Sequence, residues 1–127
     1  MEKKLGLDKY PIYTTRIPKG KFSNTKEILD FFRNKIDENP KVQYIATFDH
    51  LNHTKSIGGD IPEGILDIQN IIFCFGFQIP NDDVVAVRPR SIGIVEYADS
   101  FVINFLEPPG ATPNQVMAQW IEELENS

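Results

Sequence analysis

The spacing of apolar residues changes several times along the chain, and each change marks an element. The densest apolar stretch, NIIFCFGFQIPNDDVVAVRPRSIGIVEYADSFVINFL from Asn70 to Leu106, divides into three runs. Asn70 to Phe77 and Ser91 to Tyr97 read as strands, bounded by Pro80, Asn81 and the Arg88, Pro89, Arg90 triplet. Ala98, Asp99 and Ser100 make a short turn into Phe101 to Leu106, so the last two runs predict a hairpin.

Upstream, Met1 to Tyr10 reads as a polar lead-in, and β-branched residues predict a strand over Ile12 to Ile17, between Pro11 and Pro18. Asn24 with Glu27 resembles a capping box, and the stripe Ile28, Leu29, Phe32, Ile36 predicts a helix over Thr25 to Asp37 that Pro40 stops. Val42 to Asp49 alternates, with Val42, Tyr44, Ala46 and Phe48 on one face, and predicts another strand. The segment HLNHTKSIGGDIPEG reads as a long excursion or irregular hairpin. After the Glu107 to Ala111 connector, Thr112 as cap, Pro113 at the first position and Gln115 at the third predict a helix start. Val116, Met117, Trp120, Ile121 and Leu124 share one face of that helix, which must dock on the sheet because so short a helix is marginal alone.

This order predicts a single α+β domain over residues 1–127, with a mainly antiparallel sheet of about five strands and two helices on one face. One layer of helices leaves the other sheet face uncovered, and apolar positions there predict a homodimer.

Composition narrows the classes. At 127 residues, 41% hydrophobic and 24% charged, the chain is that of a globular protein. No segment approaches the roughly 20 apolar residues of a membrane-spanning helix, so no membrane partner is expected. The segment MEKKLGLDKYPIY lacks an apolar signal-peptide core, and the lone Cys74 cannot form an intramolecular disulfide; both point to a cytoplasmic location. A net charge of -5 argues against nucleic-acid binding, whose affinity rests on clustered Lys and Arg.

The helix from Thr25, the strand ending in Phe48, Asp49 and His50, the IIFCFG run and the RPRSIGIVEYADSFVINF hairpin together resemble the bacterial domain-of-unknown-function 302 family. The resemblance implies a strand, helix, four-strand, helix order similar to the TATA-binding-protein fold, and a tendency to dimerise. No general enzymatic activity goes with that family, so the resemblance speaks to fold and not to function. After Gly76 the chain departs from the family pattern: Phe77, Gln78, Ile79, Pro80 and Asn81 stand where an Asn-Pro turn and a Gly-Thr-Pro segment are usual.

Candidate chemistry is sparse. Asp49, His50 and His53 form a D-H-x-x-H cluster that suits a transition metal if Cys74 or Glu63 supplies a further ligand. The plainer alternative is a strand-end histidine and a solvated loop histidine whose rings diverge for want of a helix. Cys74, between Phe73 and Phe75, is a small buried hydrophobe unless the fold brings His50 or His53 to it as the base of a nucleophile. Arg88 and Arg90 are positioned to grip a phosphate or carboxylate, or else to pair with Asp82, Asp83 or Glu96. Phe73, Phe75, Phe77, Phe101, Phe105 and Trp120 read as core or dimer interface, with an apolar ligand cavity as the alternative. Gly58 and Gly59 precede no helix and are no phosphate loop, and no motif specifies a cofactor. These residues suit a ligand-binding or interaction protein, dimeric and non-enzymatic, that takes a small anionic or apolar ligand. The alternative is a metal- or thiol-dependent enzyme using His50, His53 and Cys74.

Overall fold

The computed structural model describes residues Met1–Ser127. Strands form at β1 (Glu2–Gly6), β2 (Tyr10–Pro18), β3 (Gln43–Asp49), β4 (Asp67–Cys74), β5 (Arg90–Glu96) and β6 (Ser100–Leu106). Helices form at α1 (Thr25–Glu38), α2 (His50–Ser56) and α3 (Ala111–Glu125). The six strands make one antiparallel sheet in the order β1-β2-β6-β5-β4-β3. This is the expected α+β class, with one more strand and one more helix than the hydrophobic pattern predicts.

The period-2 alternation of β4, β5 and β6 decides the core. Ile71 and Phe73, Ile92 and Ile94, and Phe101, Ile103 and Phe105 all turn to one face and are buried there. Ile28, Phe32 and Ile36 of α1 and Met117, Trp120, Ile121 and Leu124 of α3 close over that face as a single cluster. Asn24 caps α1 by accepting from the Glu27 N–H at 3.0 Å, and the Glu27 carboxylate bonds back to the Ser23 N–H and hydroxyl, a capping box displaced by one residue.

Three expectations need correction. Met1 to Tyr10 is not a plain lead-in: Glu2–Gly6 pairs with β2 through a tight turn at Leu7 and Asp8, both left-handed at φ 54° and 58°. Lysines at positions 3 and 4 conceal the strand, because a charged edge strand carries little apolar signal. The helix at Ala111 begins one residue before Thr112, with Gly110 at the cap, so Thr112 and Pro113 lie inside the first turn. The alternation of β3 breaks at Ile45, where a bulge lets Tyr44 pair with core-facing Phe73 while Ala46 and Phe48 pair with Ile72 and Asn70 on the opposite face.

That opposite face is covered only at its β3–β4 end, where α2 lies against Phe48 and Asn70. Its central row runs in register from Thr14 through Asn104, Gly93 and Asn70 to Phe48. A Cβ at Gly93 would stand 2.9 Å from the Asn104 Oδ1, so a side chain there would have to displace that carboxamide. The rows on either side carry half-buried Ile12, Ile68, Ile72, Val95 and Val102.

Candidate functional site

The sheet loosens at one end. β5 and β6 are in register only from Gly93 and Asn104 onward, so Arg90 starts its strand without a β6 partner. Its guanidinium bridges the gap, donating from Nη2 to the Leu106 carbonyl at 2.5 Å and from Nη1 to the Val87 carbonyl at 3.3 Å. Each of these nitrogens keeps one further N–H, and Nε is buried without a hydrogen-bond partner. Burial depresses the affinity of this guanidinium for its proton, though an arginine stays charged.

Beside Arg90 lies a cavity of about 140 Å³, whose floor is Phe75 and whose walls are Val84 and Val87 on one side and the Pro108 to Pro113 connector on the other. Pro108 is buried there. Arg88 lines the same cavity, with Nη1 donating to the Gln78 carbonyl at 2.8 Å. The cavity continues past Phe75, Arg88 and Pro113 into a cleft of about 320 Å³, where Lys41 stands with its ammonium 4.9 Å from the Phe77 ring centre. Gly110 leaves α3 without a side-chain cap, and Gly110, Ala111, Thr112 and Pro113 line this cleft.

The arginines therefore do not make the alternative ion pairs. Glu96 is held by Lys19 at 2.8 Å, and no carboxylate reaches Arg88 or Arg90. Asn81 caps the short 3-10 turn of Asp82–Val87, and those two aspartates sit in its first turn. Two half-buried cations without an acidic partner, in a chain of net charge -5, are the electrostatic anomaly of the structure.

The histidines fall elsewhere. Asp49 caps α2, accepting from the Asn52 N–H and from its carboxamide at 2.6 Å, and this helix holds both histidines where none was expected. His50 and His53 each lie against Phe48, at ring distances of 5.1 and 5.5 Å. The His50 Nδ1 is 2.9 Å from the Asn70 Oδ1; a carboxamide oxygen only accepts, so Nδ1 carries the hydrogen and Nε2 is free. No three His, Cys, Asp or Glu side chains come close enough to hold a metal. Cys74 is half-buried, four residues along β4 from Asn70 and so roughly 13 Å away at strand rise, which leaves the thiol without an imidazole.

A wider, open hollow of about 410 Å³ over β1 and β2 is lined by Glu2, Lys4, Thr14 and Arg16. No helix is long and apolar enough to cross a membrane.

Sequence reasoning singles out Arg88 and Arg90 but misses their walls. Phe75 reads as core, and Pro108, Pro109 and Gly110 read only as a connector; their density of Pro and Gly was the available signal.

A family model described as a family of unknown function, DUF6858, matches residues 1–126, and the chain belongs to that family. This supports the expectation of an uncharacterised domain family without confirming the resemblance to family 302. No curated protein matches the chain.

Proposed function

We propose that this protein binds a small organic anion in the cleft between the Phe75–Arg90 segment and the start of α3. The single observation that carries the reading is the pairing of Arg88 and Arg90 on one cavity with no carboxylate opposite either of them. A half-buried guanidinium with unused N–H groups, as Arg88 has beyond its bond to the Gln78 carbonyl, gains most from a charged acceptor, since hydrogen bonds to ionised groups are about twice as strong as neutral ones. The cleft offers cations and apolar walls, which are the means of binding, and binding without turnover is the reading we favour. A cytoplasmic setting accords with the unpaired Cys74.

The test is an amide-resolved NMR titration with a panel of small organic acids. Shifts confined to residues 75–90 and 108–116 agree with the proposal. Shifts centred on His50 and His53, or none at millimolar acid, contradict it.

A homodimer through the part of the opposite sheet face that α2 leaves open is the second reading, favoured by the half-buried apolar rows that flank Asn70 and Asn104. Sedimentation at micromolar concentration would return twice the chain mass; a monomer would remove this reading.

A further inference from the structure

We infer that α2 builds the homodimer: this helix of one copy seats in the hollow over β1 and β2 of a second copy, whose own α2 fills the first hollow in return. The inference rests on the homodimer reading above and adds which surfaces meet.

Position on the sheet argues for it first. α2 stands over β3 and β4, held by Phe48 and by the bond from His50 to Asn70. The hollow, lined by Glu2, Lys4, Thr14, Arg16 and Val102, lies over β1 and β2 at the other end of the same face. In the order β1-β2-β6-β5-β4-β3, both are centred two strand spacings from the line between β6 and β5, about 10 Å to either side. A two-fold axis above that line and along the strands carries α2 of one copy over the hollow of the other, and leaves its level along the strands unchanged. The levels agree, since Glu2, Thr14, Asn104, Gly93, Asn70 and Phe48 form one row in register.

Unused polar groups argue for it second. Glu2, Lys4, Arg16 and Asp49 make no ion pair within the chain. His50 has a free Nε2, and His53 is exposed. The two-fold sets Glu2 of each copy against the histidine pair of the other in their shared row. It also sets Arg16 one residue from the level of Asp49, which runs through Gln69, Ile94 and Ile103 to Thr15. Such opposed charges fix register more than they supply affinity. The affinity comes from the face itself, about 24 Å across six strands and about 20 Å along them, which buries on the order of 1,000 Å² over two copies, the scale of a specific interface. Phe48 and Leu106, 37% and 48% exposed in one chain, are covered by it.

The experiment is sedimentation velocity of the whole chain and its variants across micromolar concentrations. The unaltered chain should be a dimer. His53→Glu, which sets a carboxylate against Glu2, should raise the dimer dissociation constant by about tenfold or more, since like charges juxtaposed in an interface are repelled. Its urea midpoint should stay close to that of the unaltered chain, because His53 is an exposed position. Adding Glu2→Lys to His53→Glu should restore the dimer. If His53→Glu leaves the dimer unchanged, or if Glu2→Lys does not restore it, this docking is wrong and the homodimer reading stands. A monomer from the unaltered chain removes both.

Discussion

Arg90 donates to the carbonyl oxygen of Leu106 across the end where β5 and β6 no longer pair, so a side chain does there what backbone does along the rest of the sheet. The same residue holds the end of the β5–β6 pair together and lines the cavity. Structure and binding are therefore coupled in one guanidinium.

Arg90→Gln should consequently lower stability by about 1–3 kcal/mol, the scale of a hydrogen bond to a charged group set against relief of its desolvation. Arg88→Gln should cost less than about 1 kcal/mol, as a single bond near the surface. Urea denaturation of the two variants measures both. Equal losses would mean that Arg90 does not brace the strand end.

Trp120 meets Phe73 edge-on at 5.4 Å and stacks on Phe75 at 6.1 Å, tying α3 to the strand that ends in the cleft floor. At 5% exposure it is a core residue, and Trp120→Ala should destabilise by about 3–5 kcal/mol. Because Phe75 floors the cavity, the variant should also weaken ligand binding. A loss below about 1 kcal/mol would mean that the stripe of α3 does not seal the core.

Acid should unfold the protein through a few carboxylates. The Lys3 hydrogen bond, with Tyr13 assisting, holds the Glu107 carboxyl below its ordinary value of 4.5, and Lys35 does the same for Glu123. Both pairs bridge elements: Lys3 of β1 to the connector before α3, and Lys35 of α1 to α3. A depressed folded-state pKa means that the unfolded chain binds more protons, so this stability is complete above about pH 5 and is lost as pH falls through the lower folded values. Lys3 and Lys35 are raised by the same bonds, so their contribution holds below 10.5 and is lost only as alkaline pH passes the folded values. Urea midpoints between pH 6 and 3 should fall less steeply in a Glu107→Gln, Glu123→Gln double variant. An unchanged acid limb would contradict the assignment.

How far the sequence reveals this molecule depends on which residues carry the signal. The helices from Thr25 and Ala111 and the strands ending in Cys74, Glu96 and Leu106 were legible because each turns an apolar stripe to one core. β1 was not, since its partner is a single edge and its side chains are mostly charged. Only Leu51 is buried in α2, so a helix anchored by one side chain left no periodicity to read. The bulge at Ile45 is a matter of register with β4, which alternation within β3 cannot show. Arg88 and Arg90 were legible as a pair, but their lack of a carboxylate was not: it follows from Lys19 reaching Glu96 and from Asp82 and Asp83 entering a capped turn. The walls of the cleft join Phe75 to Pro113, positions that only the folded sheet and α3 bring together.

The central claim is that the arginine cleft holds a small organic anion, and native mass spectrometry of the protein purified from its own host tests it most directly. The account predicts one small acid retained per chain, released on denaturation and absent from an Arg88→Gln, Arg90→Lys double variant that keeps its fold. Retention of the same species by the double variant, or a ligand-free mass from the native host, would contradict it.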